Sequence, residues 1–195
     1  MALIRKGVAK TASIEDYEKL ENGEHEGRLV YVADLGMHEA YKAGPEDADK
    51  PDVQKICLGI EAVGNPVQIN GESQPRILWT APINIYQELT ELGNELKAYR
   101  VFDPQAQAGS VADWDSVLGS PCNMVIGKRK SGDGTKEYDN INSLTPIPAK
   151  YQDGVAEAIT TPCVGDSDDA SNPCTMALFG LAKYVYEKRI TDVPF

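Results

Sequence analysis

The hardest constraint on this chain lies at residues 114–148, where two strand-like runs are separated by a glycine-rich turn. A short helical turn opens the stretch, with Asp113 placed to cap it, Gly119 placed to stop it, and Trp114, Val117 and Leu118 on one side. From Cys122 to about Lys128, Cys122, Met124 and Ile126 alternate with Asn123, Val125 and Gly127. This is the period of a strand with one deeply buried face. Ser131 to Gly134 supply turn chemistry, with two glycines free to take positive φ. A second strand returns through Lys136, Tyr138, Asn140 and Ile141, and Pro146 and Pro148 end its pairing. The predicted product is a β-hairpin whose tip carries Lys128, Arg129, Lys130 and Lys136, with Tyr138 just inside. Charge on a turn is ordinarily no more than a solvated loop. Cations beside a ring also match what a single nucleic-acid strand offers, a line of phosphates and a series of base faces.

Upstream, Asn22-Gly23 marks a turn and residues 24–35 read as the first strand. Leu29, Tyr31 and Ala33 fall on one face and Arg28, Val30 and Val32 on the other, which suits a strand of a small barrel with something packed outside it. Gly36 is placed for the sharp bend such a strand needs. Residues 41–51 form a polar connector, and 53–63 the next strand. Turns at Asn65-Pro66 and Asn70-Gly71 bracket a short hairpin arm with Val67 and Ile69, and residues 76–79 form a brief strand. Thr80 is expected to open the one clear helix, with Pro82 in its first turn and Ile85, Leu89, Leu92, Leu96 and Tyr99 as its apolar stripe. After Pro148 the composition shifts. Residues 151–159 read as a strand or short helix. The run 161–173, with Asp166, Asp168 and Asp169 and almost no apolar content, reads as a disordered acidic linker. Residues 174–190 regain a helical pattern through Leu178, Leu181 and Val185.

The run Leu118-Gly119-Ser120-Pro121-Cys122, then a strand, a basic turn and Tyr138-x-x-Ile141-x-Ser143-Leu144-x-Pro146, resembles the C-terminal half of a known family. That family is the OB-fold single-stranded DNA-binding proteins of tailed bacteriophages. Asp34-Leu35-Gly36 is similar to the close of their first strand, and Ile60-Glu61 keeps the acid of a Phe-Glu-like pair without its ring. Ser120 stands where a lysine is common, which removes one phosphate contact. The resemblance covers about residues 24–148. It implies a mainly β chain with helices: a five-stranded Greek-key OB barrel, one helix between strands, and an acidic flexible C-terminal segment. The expected organisation is an N-terminal arm (1–23), an OB-fold DNA-binding domain (24–150), and a C-terminal acidic linker, short helix and terminal tip (151–195). The ending Asp192-Val193-Pro194-Phe195 is similar to the tip of bacterial single-stranded DNA-binding proteins. This implies that Asp192, Val193, Pro194 and Phe195 recruit replication or recombination proteins. The last ring would enter an apolar pocket while its α-carboxylate meets a basic residue.

The resemblance does not say which side chains would touch DNA, so physical chemistry nominates them. Tyr31, Trp79 and Tyr138 are candidate stacking rings, each also readable as a core ring, and Trp114 is assigned to the core. Arg28, Lys55, Arg76, Lys128, Arg129, Lys130 and Lys136 are candidate phosphate contacts. A net charge of -11 opposes nucleic acid at first sight, but a basic groove depends on local charge. The 195 residues allow one domain with a proper core and a tail. No apolar run approaches membrane-spanning length, and residues 1–10 lack the apolar centre of a signal peptide. Cys57, Cys122, Cys163 and Cys174 have no CxxC spacing and are remote in sequence from His25 and His38, so no metal site is expected. Free thiols fit the host cytoplasm. With no Walker loop, catalytic carboxylate pair or serine elbow, the chain is not expected to be an enzyme or to carry a cofactor. The expected role is sequence-independent binding and protection of single-stranded DNA in phage replication, recombination or repair, with a homo-oligomer left open. The alternative is a virion decoration or host-directed interaction module, with a β-barrel and no DNA binding.

Overall fold

The longest strand, β1 (Gly23–His38), is paired along both edges and buried on both faces. The computed structural model describes residues 18–69, 71–131 and 134–191, so most of the expected N-terminal arm and the tip Asp192, Val193, Pro194 and Phe195 lie outside the described residues. One edge of β1 takes β2 (Val53–Ala62), antiparallel. Its other edge takes β7 (Pro121–Lys130), antiparallel, over Gly23 to Arg28. Beyond a pair of backbone bonds between Leu29 and the 119–120 turn, β9 (Cys163–Val164) runs parallel to Tyr31 and Val32.

Two short strands, β5 (Ile77–Trp79) and β6 (Ile83–Ile85), pair with successive parts of β2, and β8 (Glu137–Pro146) pairs with β7. The sheet order is β5-β2-β1-β7-β8. A separate hairpin of β3 (Val67–Ile69) and β4 (Glu72–Gln74) matches the predicted arm. The chain is thus mainly β, built on one large antiparallel sheet with few short helices. The sheet is not a closed barrel: no backbone ladder joins β5 to β8 among the described residues. The two come near one another, and Arg76 beside β5 reaches Asp139 of β8. No helix among the described residues is long and apolar enough to cross a membrane.

A bulge divides the core in two. The β1–β2 register shifts between Leu29 and Tyr31, so Val30 is an extra residue. Leu29 and Val32 then face a main core with Leu58, Ile60, Met124 and Leu96, while Val30, Tyr31, Ala33 and Leu35 face a second, outer cluster. Simple alternation, which put Leu29 with Tyr31 and Ala33, fails at this point. A second shift, between Asp34 and Met37, spans Gly36 at φ 77°, the bend expected there.

The helix expected from Thr80 to Tyr99 forms only at its end, as α1 (Asn94–Tyr99). Ile83 and Ile85 instead pair with Ile56 and Gln54 of β2. Ile-Asn-Ile satisfies a strand period as well as part of a helical stripe, and the edge of β2 offers backbone partners that a helix would leave unused. Leu92 is 88% exposed, whereas Leu89, Leu96 and Tyr99 are buried. The region from Trp114 to Gly119 is likewise a run of turns, with Asp113 Oδ1 accepting from the Ser116 N–H at 3.2 Å. Trp114 does join the core, edge-on to Tyr99 with centroids 5.0 Å apart.

The C-terminal region departs furthest from expectation. After α2 (Ala149–Gln152), the stretch expected to be a disordered linker is seated on β1 through β9 and through the Gly165 N–H donating to Val32 O at 2.8 Å. Its aspartates act as turn acceptors: Asp166 takes the Asp168 N–H at 2.9 Å, and Asp169 takes the Ser171 N–H at 2.9 Å. The single helix expected beyond it is two, α3 (Pro173–Met176) and α4 (Gly180–Glu187), broken where Gly180 takes φ 57°. Cys174, Leu178 and Ala182 cover the outer face of β1, with Val185 beside them, while Leu181 is exposed. Buried Glu61 ties down the approach to this layer, its two oxygens accepting from the backbone N–H groups of Ile159 and Thr160 at 2.8 and 2.9 Å. Replacing Glu61 with Ala should lower unfolding free energy by about 2–3 kcal/mol, because bonds to a charged acceptor are lost and two donors are stranded. Urea denaturation measures this. Glu61→Gln, which keeps one acceptor oxygen, should lose less, and an unchanged midpoint in both would remove the anchoring role.

Candidate nucleic-acid interface

Strand register sets the geometry of the hairpin. Arg129 lies opposite Tyr138 and Lys130 opposite Glu137, while Lys128 lies opposite Asp139. Cross-strand partners project to the same face of a sheet, so Arg129 is carried beside the Tyr138 ring. Ser131 closes the turn, its carbonyl accepting from the Gly134 N–H and its hydroxyl from the Lys136 N–H at 3.0 Å. Gly134 takes φ 70°, as a tight turn at this point requires.

A groove of about 750 Å³ runs between this hairpin, β5 and α4. Arg129, Lys130 and Tyr138 line it from the hairpin, and Arg76 and Trp79 from the β5 side. Its charged lining is four cations (Lys19, Arg76, Arg129, Lys130) against two acids (Glu18, Asp139), on a chain whose net charge is -11. Lys19 Nζ lies 5.8 Å from the Tyr138 ring centroid, near enough to favour a cation over the ring face. The Trp79 indole packs over Gly59, its partner across the ladder, where a Cβ would come within 3.2 Å of the ring. The Trp79 Nε1–H donates to Ala177 O at 3.2 Å, which ties the ring to the segment between α3 and α4.

The ten nominated DNA contacts therefore separate. Arg76, Trp79, Arg129, Lys130 and Tyr138 share the groove, and the other five do not line it. Arg28 is a clamp: its guanidinium donates to Ala156 O, Gly119 O and Val155 O at 2.8–2.9 Å and pairs with Glu157 at 3.0 Å. Its side chain is only 11% exposed, so those internal acceptors leave little for a phosphate. Tyr31 is buried, stacked on Trp79 with centroids 6.0 Å apart and planes at 17°, and α3 and α4 cover that outer layer. Lys55 sits at the far end of β2 opposite Asn84, close enough to His38 to help burial lower its imidazole pKa. Lys136 sits past the turn, outside the groove lining.

Lys128 is drawn inward by Asp139. Its Nζ donates to Asp139 Oδ1 at 2.6 Å and to Leu20 O. Asp139 Oδ2 accepts from the Leu20 N–H at 3.1 Å and pairs with Arg76 at 3.4 Å. Arg76 also donates to Glu18 O and Asn65 O, so it is a groove wall already committed to internal acceptors. One carboxylate thus joins residues 18–20, the β5 side and the hairpin. The sequence reading missed the opposite wall, formed by Phe179, Leu181 and Tyr184 of the α4 region, and the apolar contribution of Val67 and Ile69 from the β3–β4 hairpin. Rings near the chain end were visible in the sequence, but nothing local indicated that α4 folds back beside β5.

Compared with protein-family models and with curated proteins, the sequence matches none.

Replacing Asp139 with Ala removes the shared carboxylate from Lys128 and Arg76, both largely removed from solvent, and leaves the two cations beside one another with only backbone carbonyls as acceptors. The expected loss is about 2–3 kcal/mol of stability, read from urea denaturation. Asp139→Asn, which retains an acceptor of similar shape, should lose less. Equal stability of all three proteins would show that the carboxylate does not hold this corner together.

Proposed function

We propose that the chain binds single-stranded DNA in this groove, without sequence readout, as an OB-type protein of phage replication, recombination or repair. The observation that carries the reading is the gathering of Arg129, Lys130 and Tyr138 with Arg76 and Trp79 around one groove of a strongly acidic chain. Arg129 and Lys130 are exposed at its rim, available to phosphates, and the half-buried Tyr138 ring is available to a base. The volume falls in the range of small-ligand sites, about 300–1,000 Å³, and suits one or two nucleotides of a single strand better than a duplex. Connectivity supports the OB reading: β1 pairs with both β2 and β7, and β8 returns toward β5, as in a partly open five-stranded Greek-key barrel. Stacking and phosphate contact are indifferent to base identity, so coating exposed strands needs neither a catalytic group nor a cofactor. Asp192, Val193, Pro194 and Phe195 remain the proposed contact for replication or recombination proteins.

Fluorescence anisotropy with oligo-dT tests the reading. Single strands should be preferred to blunt duplex. If the site neutralises about three phosphates, log K should fall with log salt at a slope near -2, at about -0.7 per phosphate. Changing Arg129 and Lys130 together to Ala should reduce that slope by about 1.4 without lowering thermal stability. Tyr138→Ala should weaken binding by about 1–3 kcal/mol through lost stacking. Equal affinity for duplex contradicts single-strand binding. No binding at low salt returns the chain to the interaction-module alternative.

A further inference from the structure

Two of the four cysteines face each other across the seam that holds the C-terminal layer to β1. Cys163 of β9 and Cys174 of α3 have their sulfurs 2.8 Å apart, both as thiols. Cys163 is fixed by β9 pairing opposite Tyr31, and the Gly165 N–H bond to Val32 O continues that attachment. Cys174 is fixed by the cap of α3, its N–H donating to Asn172 Oδ1 at 2.9 Å and its thiol to Cys163 O at 3.0 Å. The approach depends on Gly165, where a Cβ would come within 2.8 Å of Cys174 Cβ. We propose that Cys163 and Cys174 are a redox-modification site that closes to a disulfide on reaction with a small disulfide such as oxidised glutathione. Closure staples α3 to β9 and fixes the layer that covers Tyr31 and Trp79.

The pair is built asymmetrically, which sets the order of steps. Cys163 is half-buried, whereas Cys174 is fully buried and its pKa is pushed up, chiefly by burial and then by its neighbour Cys163. Cys163 therefore attacks first, as the thiolate. Its sulfur bonds to one sulfur of the glutathione disulfide, the S–S bond breaks, and one glutathione thiol leaves. Cys174 then gives up its proton and attacks Cys163 Sγ, displacing the second glutathione. In balance, two protein thiols are oxidised, one small disulfide is reduced to two thiols, and the two protons end on the departing glutathiones. The sulfurs need to close by less than about 1 Å to reach the disulfide length of about 2.05 Å. Cys57 and Cys122 are internal controls: both lie buried in the sheet with thiols pushed up to about 12 by burial, and Cys57 Sγ donates to Thr80 O at 2.8 Å. None of this depends on what the groove binds.

The test is to treat the full chain with oxidised glutathione at mildly alkaline pH, then measure intact mass, count thiols in denaturant and map peptides. The expected product is two hydrogen atoms lighter, retains two thiols, carries no glutathione and links the peptides of Cys163 and Cys174. Dithiothreitol should reverse it, and its thermal midpoint should exceed that of the reduced chain. Cys174→Ser should trap glutathione on Cys163, and Cys163→Ser should show neither product. Four surviving thiols, glutathione retained on the unaltered chain, or a link through Cys57 or Cys122 would overturn the proposal, and the mass measurement decides this without either variant. An unshifted midpoint in the linked protein would overturn the staple.

Discussion

Everything in this molecule leans on the two-sided burial of β1. A strand whose faces are both apolar must be covered twice, and the extra residue Val30 is what lets one strand serve two cores. Leu29 and Val32 turn into the main core, and Tyr31, Ala33 and Leu35 turn outward. That outward surface would be an exposed apolar patch without α3 and α4. The C-terminal layer is thus a consequence of the β1 sequence as much as of its own. It also supplies one wall of the groove, because the same α4 that buries Ala182 presents Leu181 and Tyr184 toward β5 and the hairpin.

The second organising contact is electrostatic. Asp139 collects the Leu20 N–H, Lys128 and Arg76 at the corner where the hairpin meets the β5 side. By holding two cations internally, it leaves the rim charge of the groove chiefly to Arg129 and Lys130. Cross-strand register separates Lys128 from Arg129, since Lys128 faces Asp139 whereas Arg129 faces Tyr138, and Lys130, two residues nearer the tip, lies opposite Glu137 and beyond the Asp139 pair. A basic cluster read along the chain is therefore two populations in space, one structural and one available to a ligand.

What was legible in the sequence was the part governed by local period and turn chemistry. The hairpin around Gly134, the burial of Cys122, Met124 and Ile126, the small arm at Val67–Ile69 and the bend at Gly36 all appear where residue pattern puts them. The failures share one cause, a tertiary partner absent from the local window. Ile83 and Ile85 fit a helical stripe until the open edge of β2 is offered to them. Residues 163–165 look unstructured until the edge of β1 left vacant by β7 receives them. Arg28 looks like a phosphate contact until the carbonyls of 119, 155 and 156 converge on it. Five of the ten nominated residues share one groove because Arg129, Lys130 and Tyr138 belong to one hairpin and Arg76 and Trp79 to the edge it approaches.

The central claim is that this groove, and no other face, receives a single strand. Backbone amide NMR shifts on titration with a short oligo-dT test it most directly. The account predicts that the largest shifts fall on Arg129, Lys130, Tyr138 and Trp79, extending to Leu181 and Tyr184, with Arg28 and Lys55 unmoved. Shifts centred on Lys55 and β6, or an unchanged spectrum at low salt, would contradict it.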